Sequence, residues 1–350
     1  MFSSLLDLRT RLDHREYFET PSILLATLCY AFWLSFAQIG VPSVSPTIWP
    51  LVWLAFTATV LLDPFPVLFK PSRYWLLRNV GKLMISGTRR VEFTDFWMGD
   101  QFCSLVFTLS NLYLVVCLYV EGFSSNWRQC GSTSRFWPLS FVLAILPFLV
   151  RLVQSIKRYV DSGLTTHLIN GGKYGSGIVS YLCYFIWRHK GHHGPSLVVW
   201  CFFNVIYSTY ALSWDFLMDW SILRLHVQYP LLRKEIVYTN HIYLYYLAIL
   251  SNTLIRFIWV IYIPTRGPDI TLRTFIVASF EMLRRWQWNF YRVENEHLGN
   301  VDQYRVTREV PLPYSLDHPS HGDDGDEDGS PTRKWSIHLR RRKTAVEVEA

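Results

Sequence analysis

Charged residues are scarce in this chain of 350 residues, where Asp, Glu, Lys and Arg together make up 17% of the composition. A soluble globular chain usually carries about 25% charged residues. Half of the residues are hydrophobic, 17% are aromatic, and the mean hydropathy is +0.14. The shortage of charge excludes an ordinary soluble domain and predicts a protein that lies mostly in lipid.

Cysteine is also sparse, and its spacing does not indicate paired ligands. Nearly all the cysteines fall within apolar runs, so we expect neither a disulfide framework nor a zinc site. A cleavable signal peptide is not evident either, because the first apolar run is as long as a membrane span. That run is predicted to stay as an anchor. The six cysteines are Cys29, Cys103, Cys117, Cys130, Cys183 and Cys201.

The chain shows little of what an enzyme needs. No catalytic nucleophile, metal-ligand set or phosphate-binding glycine loop stands out, and the pair Gly171 and Gly172 is too weak a pattern. We therefore expect no enzymatic activity and no cofactor. The competing pattern is the HxxHH sequence of His189, His192 and His193, which membrane di-iron enzymes use. Such sites need several histidine boxes, and the other histidines of the sequence are scattered. The alternative interpretation of the pattern is a solvated polar loop, so we expect no metal.

Long uncharged runs are what the chain has in place of charge. Several approach the roughly 20 residues that a spanning helix needs. They predict an all-α, polytopic membrane bundle of about eight transmembrane helices, of which the fifth and eighth are short or interrupted by charge. The predicted spans are residues 22–39, 48–62, 102–120, 136–150, 178–187, 195–214, 236–263 and 274–280.

Basic residues mark every second connection between these spans. Lys and Arg crowd the stretches after the second, fourth and sixth spans, and cytosolic loops are enriched in these residues. Both termini are therefore predicted to face the cytosol. The net charge of +7 fits this asymmetry, so no nucleic-acid partner is needed to explain it.

The soluble parts are predicted to be small. Residues 1–21 form a cytosolic tail, residues 22–310 the transmembrane bundle, and residues 311–350 a cytosolic tail rich in Pro, Gly, His and charge. A segment of that composition cannot bury enough apolar surface to fold alone. The second tail is predicted to be disordered, which leaves the function in the bundle.

Several ionisable residues interrupt the apolar runs. Arg256 lies within the seventh span, and Asp215 and Asp219 are spaced to share one face of a helix. Glu281 is spaced to reach both Arg284 and Arg285. Ionisable groups at membrane depth are costly and usually functional. The alternatives are structural ion pairs between helices and markers of the cytosolic ends of spans.

The sum of these charges favours an anion path. A cavity with balanced or excess cations can hold a dianion, and guanidinium groups suit tetrahedral oxyanions. Carboxylates would orient the arginines and keep binding weak enough for release. Trp259, three residues after Arg256, is a candidate gate. The cations are Lys173, Arg151, Arg256, Arg284 and Arg285, and the acids are Asp100, Asp215, Asp219 and Glu281.

Five ordered motifs carry a family resemblance. They are LPFLVRLVQSIKRY at 146–159, HLINGGKY at 167–174, WDFLMDW at 214–220, RFIW at 256–259, and the segment 281–300 that ends in RVENEHLGN. From about residue 61 to residue 311 the chain resembles the EXS-domain family. That family includes the animal phosphate exporter that is also a xenotropic and polytropic retrovirus receptor, plant phosphate exporters, and fungal ER-retention-defective proteins.

The resemblance implies a phosphate exporter whose path runs through the bundle, with inorganic phosphate and the lipid bilayer as partners. Carried over motif by motif, the residues implied to line the path are Lys173, Tyr174, Asp215, Asp219, Arg256, Arg284 and Arg285. Trp259 is implied as the gate, with Arg151 near the path and Asp100, in FWMGDQ at 96–101, facing it. One departure from the family pattern lies in the third span, where Cys103 stands at a position at which relatives have Asn.

Plasma-membrane exporters of this family begin with an SPX sensor domain, whereas about 21 residues precede the first span here. The chain therefore resembles the short fungal, Golgi branch, in which phosphate released during glycosylation returns from the lumen to the cytosol and resident proteins are retained. Leu5, Leu6 and Arg9 resemble a pattern that engages Golgi vesicle-coat adaptors, or they begin an amphipathic helix. The ER and the plasma membrane are the alternative locations.

A second class of function stays open. The chain can be a trafficking receptor or scaffold for Golgi retention, with the bundle as a membrane anchor and no transport activity. A mere anchor, however, has no use for internal arginines. Small residues at 171–177 suit helix packing, including packing in a homodimer, as well as function.

Overall fold

The computed structural model of the chain describes residues 14–38, 45–123, 130, 134–191 and 193–308. Within these ranges every regular element is a helix, which confirms the predicted all-α fold. The predicted sorting residues Leu5, Leu6 and Arg9, and the tail predicted at 311–350, lie outside the described residues. Both therefore stay predictions.

The chain divides into two compact units. The first takes in the described residues up to Cys130 together with Pro138–Lys157. A 3-10 turn, Cys103–Leu105, joins the helices Phe93–Phe102 and Val106–Ser110, so that Phe93–Val120 forms a helical run of 28 residues. The helices of this unit are α1 His14–Phe36, α2 Ile48–Leu62, α3 Lys70–Met84, α4 Phe93–Phe102, α5 Val106–Ser110, α6 Leu112–Val120 and most of α7, Trp137–Ser162.

The second unit takes in residues 134–137 and the described residues from Arg158 to Arg308. It contains α8 Thr165–Lys190, α9 Pro195–Trp214, α10 Ile242–Arg256 and α11 Ile270–Arg308. A π-helical turn, Asp215–Asp219, continues α9, and a 3-10 segment, Ile258–Tyr262, follows α10. The segment before α10 ends in the 3-10 turn Thr239–His241.

Glycine and proline set the ends of the helices around α8. Gly163 ends α7 and Gly191 ends α8, each with a left-handed backbone (φ 72° and 73°) that glycine adopts without strain. Pro195 occupies the first turn of α9, where its missing N–H costs no hydrogen bond. The Lys173 motif thus lies inside one continuous 26-residue helix.

Among the residues that the structure describes, four helical segments are long and apolar enough to cross a membrane, namely Phe93–Val120, Trp137–Ser162, Pro195–Asp219 and Thr239–Tyr262. The shorter Ile48–Leu62 is also apolar. Each of the eight predicted spans overlaps a helix. The protein is therefore a polytopic helical membrane protein, and the number of eight spans stays a prediction.

Helix α9 has an exposed apolar face and a buried polar face. Val198 and Phe202 are 68% and 62% exposed, whereas Asn204 and Ser208 are buried. Asn204 accepts a hydrogen bond from the Ser180 hydroxyl of α8 at 2.8 Å. Apolar side chains can face outward and polar side chains inward when lipid replaces water around the helix.

The basic stretch after the second span is more than a charged loop, because it forms α3. Arg73 in α3 is only 2% exposed. Its guanidinium donates hydrogen bonds to five carbonyl oxygens of the preceding segment, those of Val60, Asp63, Phe65, Val67 and Leu68. Arg73 therefore stabilises the conformation of this connection. From the sequence, we interpreted the basic residues of this stretch only as markers of the cytosolic side.

The expectation of no disulfide is wrong. Cys117, near the end of α6, is bonded to Cys130, with their Cα atoms 5.7 Å apart. The apolar run that contains Cys117 led us to place it inside the membrane, away from its partner. Both cysteines instead lie at the connection that loop charge predicts to be non-cytosolic, and disulfides persist in oxidising compartments.

Candidate functional site

Asp215 is the centre of a buried cluster in the second unit. It begins the π-helical turn after α9 and is 1% exposed. Its Oδ2 accepts hydrogen bonds from Arg256 Nη2 at 2.7 Å, Arg256 Nε at 2.9 Å and Arg284 Nη1 at 3.3 Å. Asn252 Nδ2 lies 3.2 Å from the same oxygen. One carboxylate therefore joins α9, α10 and α11.

Glu281 holds Arg284 in this cluster. Arg284 donates from Nε and Nη2 to the two oxygens of Glu281, at 2.8 and 2.7 Å. Its Nη1 also lies 3.3 Å from Oδ1 of Asn252. Arg285 differs, because its Nη2 is 4.0 Å from Glu281 and its guanidinium carbon is 4.6 Å from the centre of the Trp288 ring. Of the two arginines, Arg284 contacts Asp215.

Lys173 adds a further cation from α8. It is 7% exposed, and its Nζ lies 4.7 Å from the ring centre of Tyr174 and 5.2 Å from that of Trp214. Trp214 directly precedes Asp215 in the chain, so Lys173 lies close to the start of the π-helical turn. Four cations, Lys173, Arg256, Arg284 and Arg285, therefore share the cluster with two carboxylates, Asp215 and Glu281. Such an arrangement favours an anion that guanidinium groups can chelate.

Asp219, which its spacing predicts to share a helix face with Asp215, has contacts of its own along α11. Its Oδ2 accepts a hydrogen bond from Trp288 Nε1 at 3.3 Å, and its Oδ1 is 3.9 Å from Arg292 Nε. The sequence suggested an ordinary helix with one cation between the two carboxylates. The turn is instead π-helical, with the Trp220 N–H donating to the Asp215 carbonyl, and the two carboxylates have different neighbours along α11.

Trp259 follows the end of α10 on the 3-10 segment. Its Nε1 donates to the Ser208 hydroxyl of α9 at 3.1 Å. Its ring meets that of Trp200 edge to face, with centroids 5.6 Å apart. The side chain is thus fixed between α9 and the segment after Arg256, and its role as a gate stays a prediction.

Arg151 and Asp100 pair with each other in the first unit. Arg151 Nε donates to Oδ1 of Asp100 at 2.9 Å, and Arg151 Nη1 donates to Gln154 Oε1 at 2.7 Å. Gln154 Nε2 in turn donates to the Ser86 hydroxyl at 3.1 Å. Gly99 lies against this pair, since an added Cβ would be 2.5 Å from Arg151 Cδ. Their place near the anion path stays a prediction.

Sequence reasoning missed several polar partners of the cluster. Asn252 is completely buried and links Asp215 to Arg284. Ser208 and Trp288 bond the predicted residues Trp259 and Asp219. An amide inside the apolar α10 was a usable clue, because a polar side chain at membrane depth needs a partner.

Of the HxxHH pattern, His189 and His193 are described, and His192 lies outside the described residues. The His189 ring lies 5.8 Å from that of Trp137, and the His193 ring lies 6.3 Å from that of Trp187. No group of three or more His, Cys, Asp or Glu side chains suited to a metal occurs among the residues that the structure describes.

Comparison with known proteins gives the family. The chain is 32% identical over 309 residues to SPX and EXS domain-containing protein 3 of Dictyostelium discoideum, covering 86% of this chain and 33% of that protein. It is 30% identical over 383 residues to human solute carrier family 53 member 1, covering 99% and 54%. It is 29% identical over 370 residues to the xenotropic and polytropic retrovirus receptor 1 homolog of Xenopus laevis, covering 96% and 53%.

The chain thus spans about half the length of the human and Xenopus relatives and a third of that from Dictyostelium. The model of the EXS family matches residues 2–298, which extends N-terminal of the motifs at 146–300 that suggested the resemblance. Because that match covers most of the sequence, the chain belongs to the EXS family.

Proposed function

We propose that this protein carries inorganic phosphate across a membrane through the helices of the second unit. The observation that carries the proposal is the buried cluster around Asp215, with four cations against two carboxylates. The surplus of positive charge suits hydrogen phosphate, which is a dianion near neutral pH. Paired guanidinium donors fit its oxygens.

The carboxylates explain how phosphate can leave again. Asp215 occupies Arg256 and Arg284 while no anion is bound, and Glu281 fixes the direction of Arg284. An arriving phosphate exchanges one set of ion pairs for another, so its binding stays weak enough for conduction. Trp259 acts as a gate next to Arg256 in this proposal.

Family membership supports transport over the alternatives. One relative is named as a solute carrier, and the EXS family includes phosphate exporters. A trafficking receptor or scaffold needs only an apolar membrane anchor. Buried arginines are a liability in such an anchor, because losing one partner of a buried ion pair destabilises the fold by about 3–5 kcal/mol. We therefore propose a transporter and not a scaffold or an enzyme.

We propose the Golgi membrane as the location, with phosphate moving from the lumen to the cytosol in support of glycosylation and retention of resident proteins. Resemblance to the fungal ER-retention-defective branch supports this location. The Cys117–Cys130 disulfide supports a lumen that is oxidising. An adaptor at Leu5, Leu6 and Arg9 and a homodimer belong to the same proposal. Phosphate release from Golgi vesicles loaded on the lumenal side measures the direction.

The test of transport is phosphate flux in reconstituted vesicles. We expect Arg256→Ala to lower flux about tenfold or more, because a charged hydrogen-bond partner contributes about 1.5–3 kcal/mol. Arg266→Ala, in the exposed segment before α11, is the matched control. Arg256→Lys shows whether charge alone restores flux. Equal flux in the native chain and both Arg256 variants would reject phosphate transport by this cluster.

Gly99→Ala tests whether the Arg151 and Asp100 pair belongs to the path. The new Cβ would lie 2.5 Å from Arg151 Cδ and 2.9 Å from Gln154 Oε1, so Arg151 must move away from Asp100. We expect phosphate flux to fall about fivefold, although alanine favours a helix over glycine by about 1 kcal/mol.

The matched control for Gly99→Ala is Gly81→Ala, in α3 of the same unit. A Cβ at Gly81 would meet nothing within 4 Å, so flux should stay within about twofold of the native value. The melting temperature of both variants, measured in detergent, separates loss of flux from loss of fold. A well-folded Gly99→Ala protein with native flux would remove the Arg151 pair from the path.

A further inference from the structure

A cavity of about 270 Å³ lies at one end of the second unit. It is formed where the turn between α8 and α9 meets the segment that leads into α11. Loop charge predicts both of these connections to be non-cytosolic. The cavity is therefore expected to open to the side opposite the cytosol. Its wall includes Trp187, Arg188, His193, Tyr262, Asp269 and Arg273.

Two arginines of the cavity have different roles. Arg273 is 6% exposed and donates to the carbonyl oxygens of Ile261, Pro264, Arg266 and Pro268, at 2.6–2.9 Å. Its hydrogen-bond donors build the wall of the cavity. Arg188, in the last turn of α8, has a buried Nε that lacks a hydrogen-bond partner among the described residues. Its guanidinium carbon lies 5.8 Å from the Trp187 ring centre.

The acid of the cavity is already engaged. Asp269 Oδ2 accepts a hydrogen bond from the Thr271 N–H at 3.3 Å, at the start of α11. Its carbonyl oxygen accepts the Arg273 N–H at 3.0 Å. The two arginines against this single carboxylate give the cavity a surplus of positive charge. A small anion is the ligand that such a wall favours.

Aromatic rings separate this cavity from the Asp215 cluster. Trp187 stacks on Trp200 with the ring centroids 4.9 Å apart and an angle of 9° between the planes. Trp200 contacts Trp259 edge to face, and Trp259 lies three residues beyond Arg256. Tyr262, in the cavity wall, packs 5.9 Å from Trp200. The rings of Trp187, Trp200, Trp259 and Tyr262 together form an aromatic partition. The cavity borders it at Trp187 and Tyr262, and the Asp215 cluster borders it at Trp259.

We propose that this cavity is a second phosphate site, on the non-cytosolic side of the partition, with Arg188 as the residue that binds the anion. The inference rests on the proposed phosphate transport and adds the site from which phosphate is collected. Arg188 raises the local concentration of phosphate before the ion passes Trp259. The cluster around Asp215 then determines the maximal rate.

The test is the concentration dependence of phosphate flux. Vesicles of phosphatidylcholine alone are used, so that anionic lipid head groups cannot occupy the cavity. For Arg188→Gln we expect the half-saturating phosphate concentration on the side of the α8–α9 turn to rise about tenfold, with maximal flux within about twofold of native. Arg188→Lys keeps the charge and should raise the half-saturating phosphate concentration about threefold.

Lys190→Gln removes the same charge from the same end of α8, at an exposed residue that does not line the cavity. It should leave the half-saturating concentration within about twofold of native. An equal rise for Lys190→Gln and Arg188→Gln would indicate a general charge effect and overturn the proposal. A native half-saturating concentration in both Arg188 variants would also overturn the proposal. No flux in the native chain would instead reject the proposed function.

Discussion

Arg284→Lys is expected to lower maximal phosphate flux at least tenfold while the positive charge is retained. The Arg284 side chain is fully buried and makes contacts in three directions, to Glu281, Asp215 and Asn252. Lysine offers one compact ammonium group and cannot match the two parallel bonds to Glu281. Asp215 and Asn252 would therefore lose their link to α11.

The same substitution should also destabilise the fold, by about 1–3 kcal/mol, because buried acceptors lose charged donors. Flux per folded molecule and the melting temperature in detergent separate the two effects. Arg266→Lys, at an exposed arginine, should change neither. If Arg284→Lys conducts like the native chain, a point charge is sufficient and the planar guanidinium has no part in phosphate binding.

The membrane fold was predictable because lipid imposes a simple rule on sequence. A spanning segment must be apolar and about 20 residues long, so the helices α7, α9 and α10 follow directly from uncharged runs. Helix α3 escaped prediction because its basic residues, including Arg73, looked like the solvated charges of a cytosolic loop. Arg73 is instead buried, and it donates hydrogen bonds to five carbonyl oxygens. The Cys117 bond escaped prediction because Cys117 stands in an apolar run that we placed inside the membrane, whereas Cys130 stands in a predicted loop.

The candidate site was predictable where charge itself was the clue. Arg256, Arg284 and Asp215 stand out as ionisable residues in apolar segments, and the i, i+3 spacing of Glu281 from Arg284 predicts the ion pair that the structure contains. Asn252 carries no charge and drew no attention, although it bonds both Asp215 and Arg284. The partners of Asp219 depend on a π-helical turn, which spacing on an ordinary α-helix does not reveal.

Asp215→Asn should have the opposite effect on phosphate binding from loss of an arginine. Asp215 competes with phosphate for Arg256 and Arg284, and its removal increases the excess of positive charge by one. We expect the half-saturating phosphate concentration to fall about tenfold, an effect of about 1.4 kcal/mol. Maximal flux should fall as well, since an ion that binds more tightly leaves more slowly.

The carboxylate also stabilises the empty protein, because two buried guanidinium groups lose a partner when it is removed. Phosphate should therefore raise the melting temperature of Asp215→Asn more than that of the native chain, by mass action on the folded state. Glu296→Gln, which removes a carboxylate that pairs with Arg292 on the same helix α11, is the matched control and should bind phosphate as the native chain does. Weaker phosphate binding by Asp215→Asn would mean that Asp215 orients the arginines for the anion and does not compete with it.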